Sequence, residues 1–101
     1  MKDMNVADFV RIGSRLKEGG PYIATSRSYA TVQRKYASER GGPVVAIDLR
    51  KIHGTYIDLS VEAVRNVHIK PSDPAWYFAR ADEEVLIVGY VPPTAIVIVG
   101  P

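Results

Sequence analysis

Residues 81–87, Ala-Asp-Glu-Glu-Val-Leu-Ile, put three consecutive acids in front of an apolar run. The run 83–88 has the length and the β-branched content of a buried strand, and 95–99 has the same character. A glycine and two prolines lie between these two segments. The sequence therefore predicts two strands near its C-terminal end, joined as a hairpin.

The acids at the start of the first strand are candidates for chemistry. Successive side chains of a strand point to opposite faces, so Asp82 and Glu84 are expected to share one face and Glu83 the other. Spacing alone favours a solvated acidic strand end. The alternative is a pair of carboxylates that converge in a cleft.

The remaining pattern predicts a helix, a strand, a second helix and then mostly strands. Apolar residues at helical spacing indicate helices over 6–17 and 28–38, each ended by glycine and proline. Strands are expected at 22–26, 44–47 and 55–59, the last two in one sheet, and Ser60 is expected to cap a short helical turn. This order is typical of a small α+β fold.

Composition limits the function classes. With 101 residues, 47% of them hydrophobic, the chain is predicted to be a single compact, soluble domain over 1–101. No apolar run reaches the roughly 20 residues that span a bilayer. A net charge of +2 makes nucleic-acid binding an unfavoured prediction, and the absence of cysteine excludes thiol chemistry. His53 and His68 lack metal-ligand spacing, so no metal site is predicted.

A hydroxyl cluster, Ala-Thr-Ser-Arg-Ser at 24–28, follows the first predicted strand. Ser26 is expected to cap the second helix. A hydroxyl at this junction is also suited to orient a carboxylate on a neighbouring strand.

These two segments together carry a family resemblance. Residues 22–28, Tyr-Ile-Ala-Thr-Ser-Arg-Ser, resemble the Ser-Thr-Ser strand of ADP-ribosyltransferase-fold proteins, including bacterial toxins. Residues 82–86, Asp-Glu-Glu-Val-Leu, resemble the acid-x-Glu motif of that family, which also opens a strand. The similarity spans about 21–99. It implies a small ADP-ribosyltransferase-like fold of mainly antiparallel sheets, with NAD as substrate.

The resemblance also implies roles for individual residues. Glu84 takes the position of the family's glutamate, which holds a ribose hydroxyl of NAD and stabilises the oxocarbenium-like transition state. Ser26, or Thr25 in its place, positions Glu84 and lines the cofactor site. Asp82 occupies the place of a Glu or Gln in the family and is shorter.

Further candidates concern the ligand itself. The family carries an arginine on a strand well before the serine strand, but twenty-one residues precede Tyr22 and no such strand is predicted among them. Arg11 and Arg27 are the candidates for holding a phosphate. Tyr29 and Tyr36 are candidates for stacking on nicotinamide, although aromatic residues at helical spacing are more often core residues.

The aromatic segment before the acids corresponds to a loop that in the family recognises the protein target. Trp76, beside a proline-bounded loop, is expected to be the exposed contact, with Tyr77 as a second candidate, whereas Phe78 is expected in the core.

The leading hypothesis is an NAD-dependent mono-ADP-ribosyltransferase or NAD glycohydrolase, a toxin or effector domain delivered from a bacterial cell within a larger polypeptide. A protein target or an immunity protein is the expected partner. One alternative is a non-catalytic module that binds a protein or a nucleotide. Another is a small ribonuclease-type toxin that uses Glu84 with His53 or His68 as acid and base.

Overall fold

A computed structural model of the protein describes residues 4–12, 21–34 and 43–100. The described helices are α1 (Val6–Ile12), α2 (Tyr29–Val32), α3 (Glu62–His68) and α4 (Pro74–Ala81). The described strands are β1 (Ile23–Ser26), β2 (Val44–Ile47), β3 (Thr55–Asp58), β4 (Glu84–Val88) and β5 (Ile96–Gly100). The α+β class predicted from the sequence is confirmed.

The strands form two antiparallel sheets. β4 lies between β1 and β3 in a three-stranded sheet, whereas β2 pairs with β5 in a two-stranded sheet. The predicted hairpin of the last two strands is therefore wrong, and so is the single sheet predicted for 44–47 and 55–59. Pro92 and the 3-10 turn Pro93–Ala95 separate β4 from β5, and because proline donates no backbone hydrogen bond, this connection does not continue the β4 ladder.

The core lies on the three-stranded sheet. Val85, Leu86 and Ile87 of β4 are at most 2% exposed, as expected of a central strand that is covered on both faces. Leu86 belongs to a buried cluster that packs one face of this sheet against the helices. The cluster comprises Val6, Phe9, Val10, Leu59, Ile69, Ala75, Trp76, Ala79 and Leu86.

The helix α4 was not predicted, and it changes the geometry of the acids. The Asp73 side chain caps its first turn by accepting a hydrogen bond from the Ala75 backbone N–H, at 2.9 Å, and proline occupies the first helical position. The helix ends at Ala81 with Asp82 as its C-cap, and Glu83 follows with a φ of 47°. Strand alternation therefore does not apply to Asp82 and Glu83, since β4 begins only at Glu84.

The other helices agree with the sequence in part. α1 and α2 start within the predicted segments, whose ends at 13–17 and 35–38 lie outside the described residues. α3 begins after Val61 as its N-cap, and the Ser60 backbone N–H donates to Asp58, so Ser60 is not the cap. Within the described ranges, no helix has the length and apolar character needed to cross a membrane.

Candidate functional site

A cleft with a volume of about 690 Å³ lies between the two sheets, with β1 and β4 contributing to one side and β2 to the other. Apolar side chains, among them Ile23, Val44 and Ile47, make up much of its lining. The polar groups of the lining lie where β1 ends and β4 begins. They are Thr25, Ser26, Arg27, Asp82 and Glu84.

The pairing of β1 with β4 brings the two predicted motifs together. Ser26, the last residue of β1, lies directly opposite Glu84, the first residue of β4. Glu84 is 9% exposed, and no other acid among the described residues is as deeply buried. A carboxylate that is held in a mostly apolar cleft interacts more strongly with nearby charge than one in water does.

The hydroxyls of β1 fix this arrangement through the backbone. Thr25 Oγ1 donates to the carbonyl of Val85 at 2.6 Å, across the β1–β4 pair. Ser26 Oγ donates to the carbonyl of Asp82 and accepts from the Ser28 backbone N–H at 2.9 Å. Ser26 therefore holds the turn that leads into Glu84.

The predicted helix cap is displaced by two residues. The side chain of Ser28, not that of Ser26, accepts from the Thr31 backbone N–H at 3.2 Å and caps α2. Ser28 takes this role because its extended backbone directly precedes the first helical residue, as an N-cap requires.

Arg27 is the one basic residue among the described residues that line the cleft. Its Nε and Nη2 atoms both donate to Oδ2 of Asp58, at 2.9 and 2.6 Å. This contact raises the pKa of the Arg27 guanidinium. Burial by itself raises the pKa of Asp58, but the hydrogen bonds from Arg27 and Ser60 outweigh it, so the pKa lies below its ordinary value.

Two of the other ligand candidates, Arg11 and Tyr29, do not line the cleft. Arg11 is on α1, where it forms ion pairs with Asp8 and Asp73 instead of contacting the cleft. These carboxylates raise the pKa of Arg11. The hydroxyl of Tyr29 lies against Gly100, and Tyr29 is not a lining residue. Tyr36 falls outside the described residues.

The expected burial is reversed for Trp76 and Phe78, whereas Tyr77 is exposed, as its candidate role requires. Trp76 is 7% exposed, whereas Tyr77 and Phe78 are 57% and 51% exposed. The Trp76 indole N–H donates to Asn66 Oδ1 at 2.7 Å, and the Arg65 guanidinium lies 4.2 Å from its ring centre. Because α4 is a helix, Trp76 faces the core with Ala75 and Ala79, and its two C-terminal neighbours face outward.

The histidines lie apart from the acids of the cleft. His53 is exposed beside Tyr90, with ring centres 5.7 Å apart, and His68 is the last residue of α3. Neither lines the cleft with Glu84. The described part of the chain also contains no group of His, Cys, Asp or Glu side chains able to hold a metal ion.

Sequence reasoning missed Asp58 and the role of β2 as a cleft wall. Asp58 had a local signal, because Asp-Leu-Ser at the end of a strand is suited to an Asx turn, and the Ser60 N–H does donate to Asp58 Oδ1 at 3.1 Å. Its contact with Arg27, 31 residues away, had no such signal.

Comparison with protein families matches residues 5–99 to a single family, described as a domain of unknown function, DUF7587. The match covers nearly all of the described residues. No curated protein and no solved structure matches the chain.

Proposed function

The chain belongs to the DUF7587 family, and from the geometry of its cleft we propose that it binds NAD there and cleaves the bond between nicotinamide and ribose, as an ADP-ribosyltransferase or an NAD glycohydrolase. The observation that carries the proposal is the direct pairing of Ser26 with the buried Glu84 at the polar end of an apolar cleft. The resemblance of both segments to the motifs of ADP-ribosyltransferase-fold proteins supplies the type of reaction.

The volume and lining of the cleft suit a ligand with both flat apolar and polar parts. About 690 Å³ lies within the usual range for small-molecule and cofactor sites, which combine apolar walls with a few converging polar groups. Nicotinamide and ribose fit such a lining, because the ring contacts apolar walls while the ribose hydroxyls contact Ser26 and Glu84.

In the proposed reaction, the C–N bond between ribose C1′ and nicotinamide breaks and its electron pair leaves with nicotinamide. Positive charge then develops on the ribose ring, and the carboxylate of Glu84 stabilises it. Water or a nucleophilic side chain of a target protein forms the new bond to C1′ and loses its proton. Ser26 acts on Glu84 through the Asp82 carbonyl, which its hydroxyl holds.

The same cleft supports a second candidate, a module that binds a nucleotide without turnover. The observation in its favour is that Arg27 alone among the described lining residues is basic, and it is already paired with Asp58. The ribonuclease alternative is less supported, because neither histidine lines the cleft with Glu84.

The test is nicotinamide release from NAD by the purified chain, with and without cell lysate, for wild type and Glu84→Gln. Glutamine keeps the size of the side chain and removes its charge. We expect release to fall by a factor on the order of 100 or more, the usual loss when a preorganised electrostatic contact is removed. Dependence on lysate distinguishes a transferase from a glycohydrolase.

Glu83→Gln is the matched control, since Glu83 is the adjacent acid but is exposed and absent from the cleft lining. It is expected to release nicotinamide at the wild-type rate, and thermal melting should show all three proteins folded. Equal turnover by wild type and Glu84→Gln contradicts the catalytic role. Binding of NAD without release under either condition supports the binding module instead.

A further inference from the structure

The contact between Arg27 and Asp58 joins the two outer strands of the three-stranded sheet. Arg27 directly follows β1, Asp58 ends β3, and β4 lies between them. Oδ2 of Asp58 accepts both hydrogen bonds from Arg27, and Oδ1 accepts from the backbone N–H and the hydroxyl of Ser60. The carboxylate is thus held on one side by the turn after β3, and it fixes the guanidinium on the other.

This contact decides which edge of the guanidinium is available. The five N–H groups of arginine form a rigid fork, and Asp58 engages the edge made by Nε and Nη2. Nη1 of Arg27 has no hydrogen-bond partner among the described residues. The side chain is 48% exposed and lines the cleft, so this second edge is accessible to a ligand.

The chemistry of that edge selects its ligand. A guanidinium donates directed hydrogen bonds to phosphate oxygens. Arg27 is the one basic residue among the described residues that line the cleft. A phosphate group of a ligand in the cleft is therefore the expected partner of this second edge.

The geometry points to Asp58 as a positioning residue, which orients Arg27 so that its second edge binds the diphosphate of the ligand in the cleft. The inference rests on the proposed function, in which the ligand is a dinucleotide, and it names the group that recognises the diphosphate. Asp58 does not touch the ligand. Its effect on binding passes entirely through Arg27.

The experiment measures the dissociation constant of ADP-ribose by calorimetry for wild type, Arg27→Ala, Asp58→Asn and the double variant. ADP-ribose contains the diphosphate diester and needs no turnover. Each single variant is expected to bind about tenfold more weakly, which corresponds to about 1.4 kcal/mol. The double variant should bind no more weakly than Arg27→Ala, since a group that acts only through Arg27 has no effect once Arg27 is gone.

Asp48→Asn is the matched control. Asp48 accepts two hydrogen bonds from the Arg50 guanidinium, each at 3.0 Å, and neither residue lines the cleft. It should bind ADP-ribose as wild type does. Where nicotinamide release is measurable, Asp58→Asn should raise KM for NAD about tenfold and leave kcat within about twofold.

Three results overturn the inference: wild-type affinity in Asp58→Asn, additive losses in the double variant, or no binding of ADP-ribose by the wild-type chain. Failure of the proposed function is a separate result. A chain that binds ADP-ribose but releases no nicotinamide is not an NAD-cleaving enzyme. In that case the dissociation constants of wild type and the three variants still decide the role of Asp58.

Discussion

The two sheets of this protein differ in how far they are covered. In β4, the central strand of the three-stranded sheet, Ile87 is fully buried. In β5, which pairs with β2 alone among the described strands, Val97 and Ile98 are 61% and 69% exposed. Both strands are short runs of aliphatic residues, so the difference comes from their neighbours and not from their composition.

This difference explains where the candidate site lies. The acid, the hydroxyls and the arginine of the cleft are all at the covered sheet. Thr25, Ser26 and Arg27 form hydrogen bonds to residues far away in the sequence, and Glu84 is placed by the pairing of β1 with β4. The two-stranded sheet contributes an apolar wall through β2. Groups that must keep a fixed geometry are best supported by packed elements, and here the polar groups are on the packed side.

The largest expected effect is on stability, and it compares Ile87 in β4 with Ile98 in β5. Ile87 is fully buried, so Ile87→Ala leaves a cavity in the core. It should lower the free energy of unfolding by about 2 to 5 kcal/mol. Ile98→Ala should lower it by less than about 1 kcal/mol, because the side chain is mostly exposed already. Urea unfolding of both variants measures the difference. Similar losses would mean that β5 is covered in solution.

A smaller effect is expected from adding a methyl group at either of two glycines, Gly54 directly before β3 and Gly100 at the end of β5. At Gly54 the new Cβ would lie 1.8 Å from the carbonyl oxygen of Val88, which is backbone and cannot rotate away. Gly54→Ala should therefore lower stability by about 1 to 3 kcal/mol. At Gly100 the nearest atom is the Tyr29 hydroxyl at 2.3 Å, the end of a rotatable side chain.

Gly100→Ala should accordingly change stability by less than about 0.5 kcal/mol. Thermal melting of the two alanine variants, beside wild type, checks the order. A melting temperature that falls further for Gly100→Ala than for Gly54→Ala would show that Tyr29 is held rigidly against β5.

The smallest expected effect is the pH dependence of two aspartates, Asp48 directly after β2 and Asp58 at the end of β3. Hydrogen bonds from the Arg50 side chain and backbone lower the pKa of Asp48 to about 2, and the pKa of Asp58 is also lowered. A depressed pKa stabilises the folded state above the unfolded value, near 4, and this contribution is lost as the pH falls through the folded value.

Carboxyl NMR titration should find Asp48 titrating near pH 2. The free energy of unfolding should begin to fall as the pH drops below about 4. Asp58→Asn should reduce stability at neutral pH more than Asp48→Asn does, because Asp58 joins two strands whereas Asp48 contacts an exposed arginine two residues away. An ordinary pKa near 4 for Asp48 would mean that its arginine contact does not persist in solution.

The sequence predicted much of the local structure because hydrophobic period and turn residues are local signals. The strands at 22–26, 44–47 and 55–59 were placed within about a residue of β1, β2 and β3. Two strands were found near the C-terminal end for the same reason. The helix α4 was missed, since eight residues with three adjacent aromatics give a weak helical pattern, and its cap and proline were interpreted as a loop.

The candidate site was predictable in its residues but not in its arrangement. The hydroxyl cluster and the acids were identified separately by their residue types, and Ser26 and Glu84 do lie opposite each other. Asp58 was missed and Arg11 was misplaced because contacts between residues 31 or 62 positions apart leave no periodic signal. Their positions follow from strand pairing and helix packing.

By itself, the sequence determined the α+β class, the approximate position of every described strand and the residue types at the polar end of the cleft. Only the tertiary structure decided which strands pair, that β4 is central and β5 exposed, and that Trp76 is buried while Phe78 is not. The physical reason is that periodicity specifies which face of an element is apolar, whereas the partner of that face is selected by packing over the whole chain.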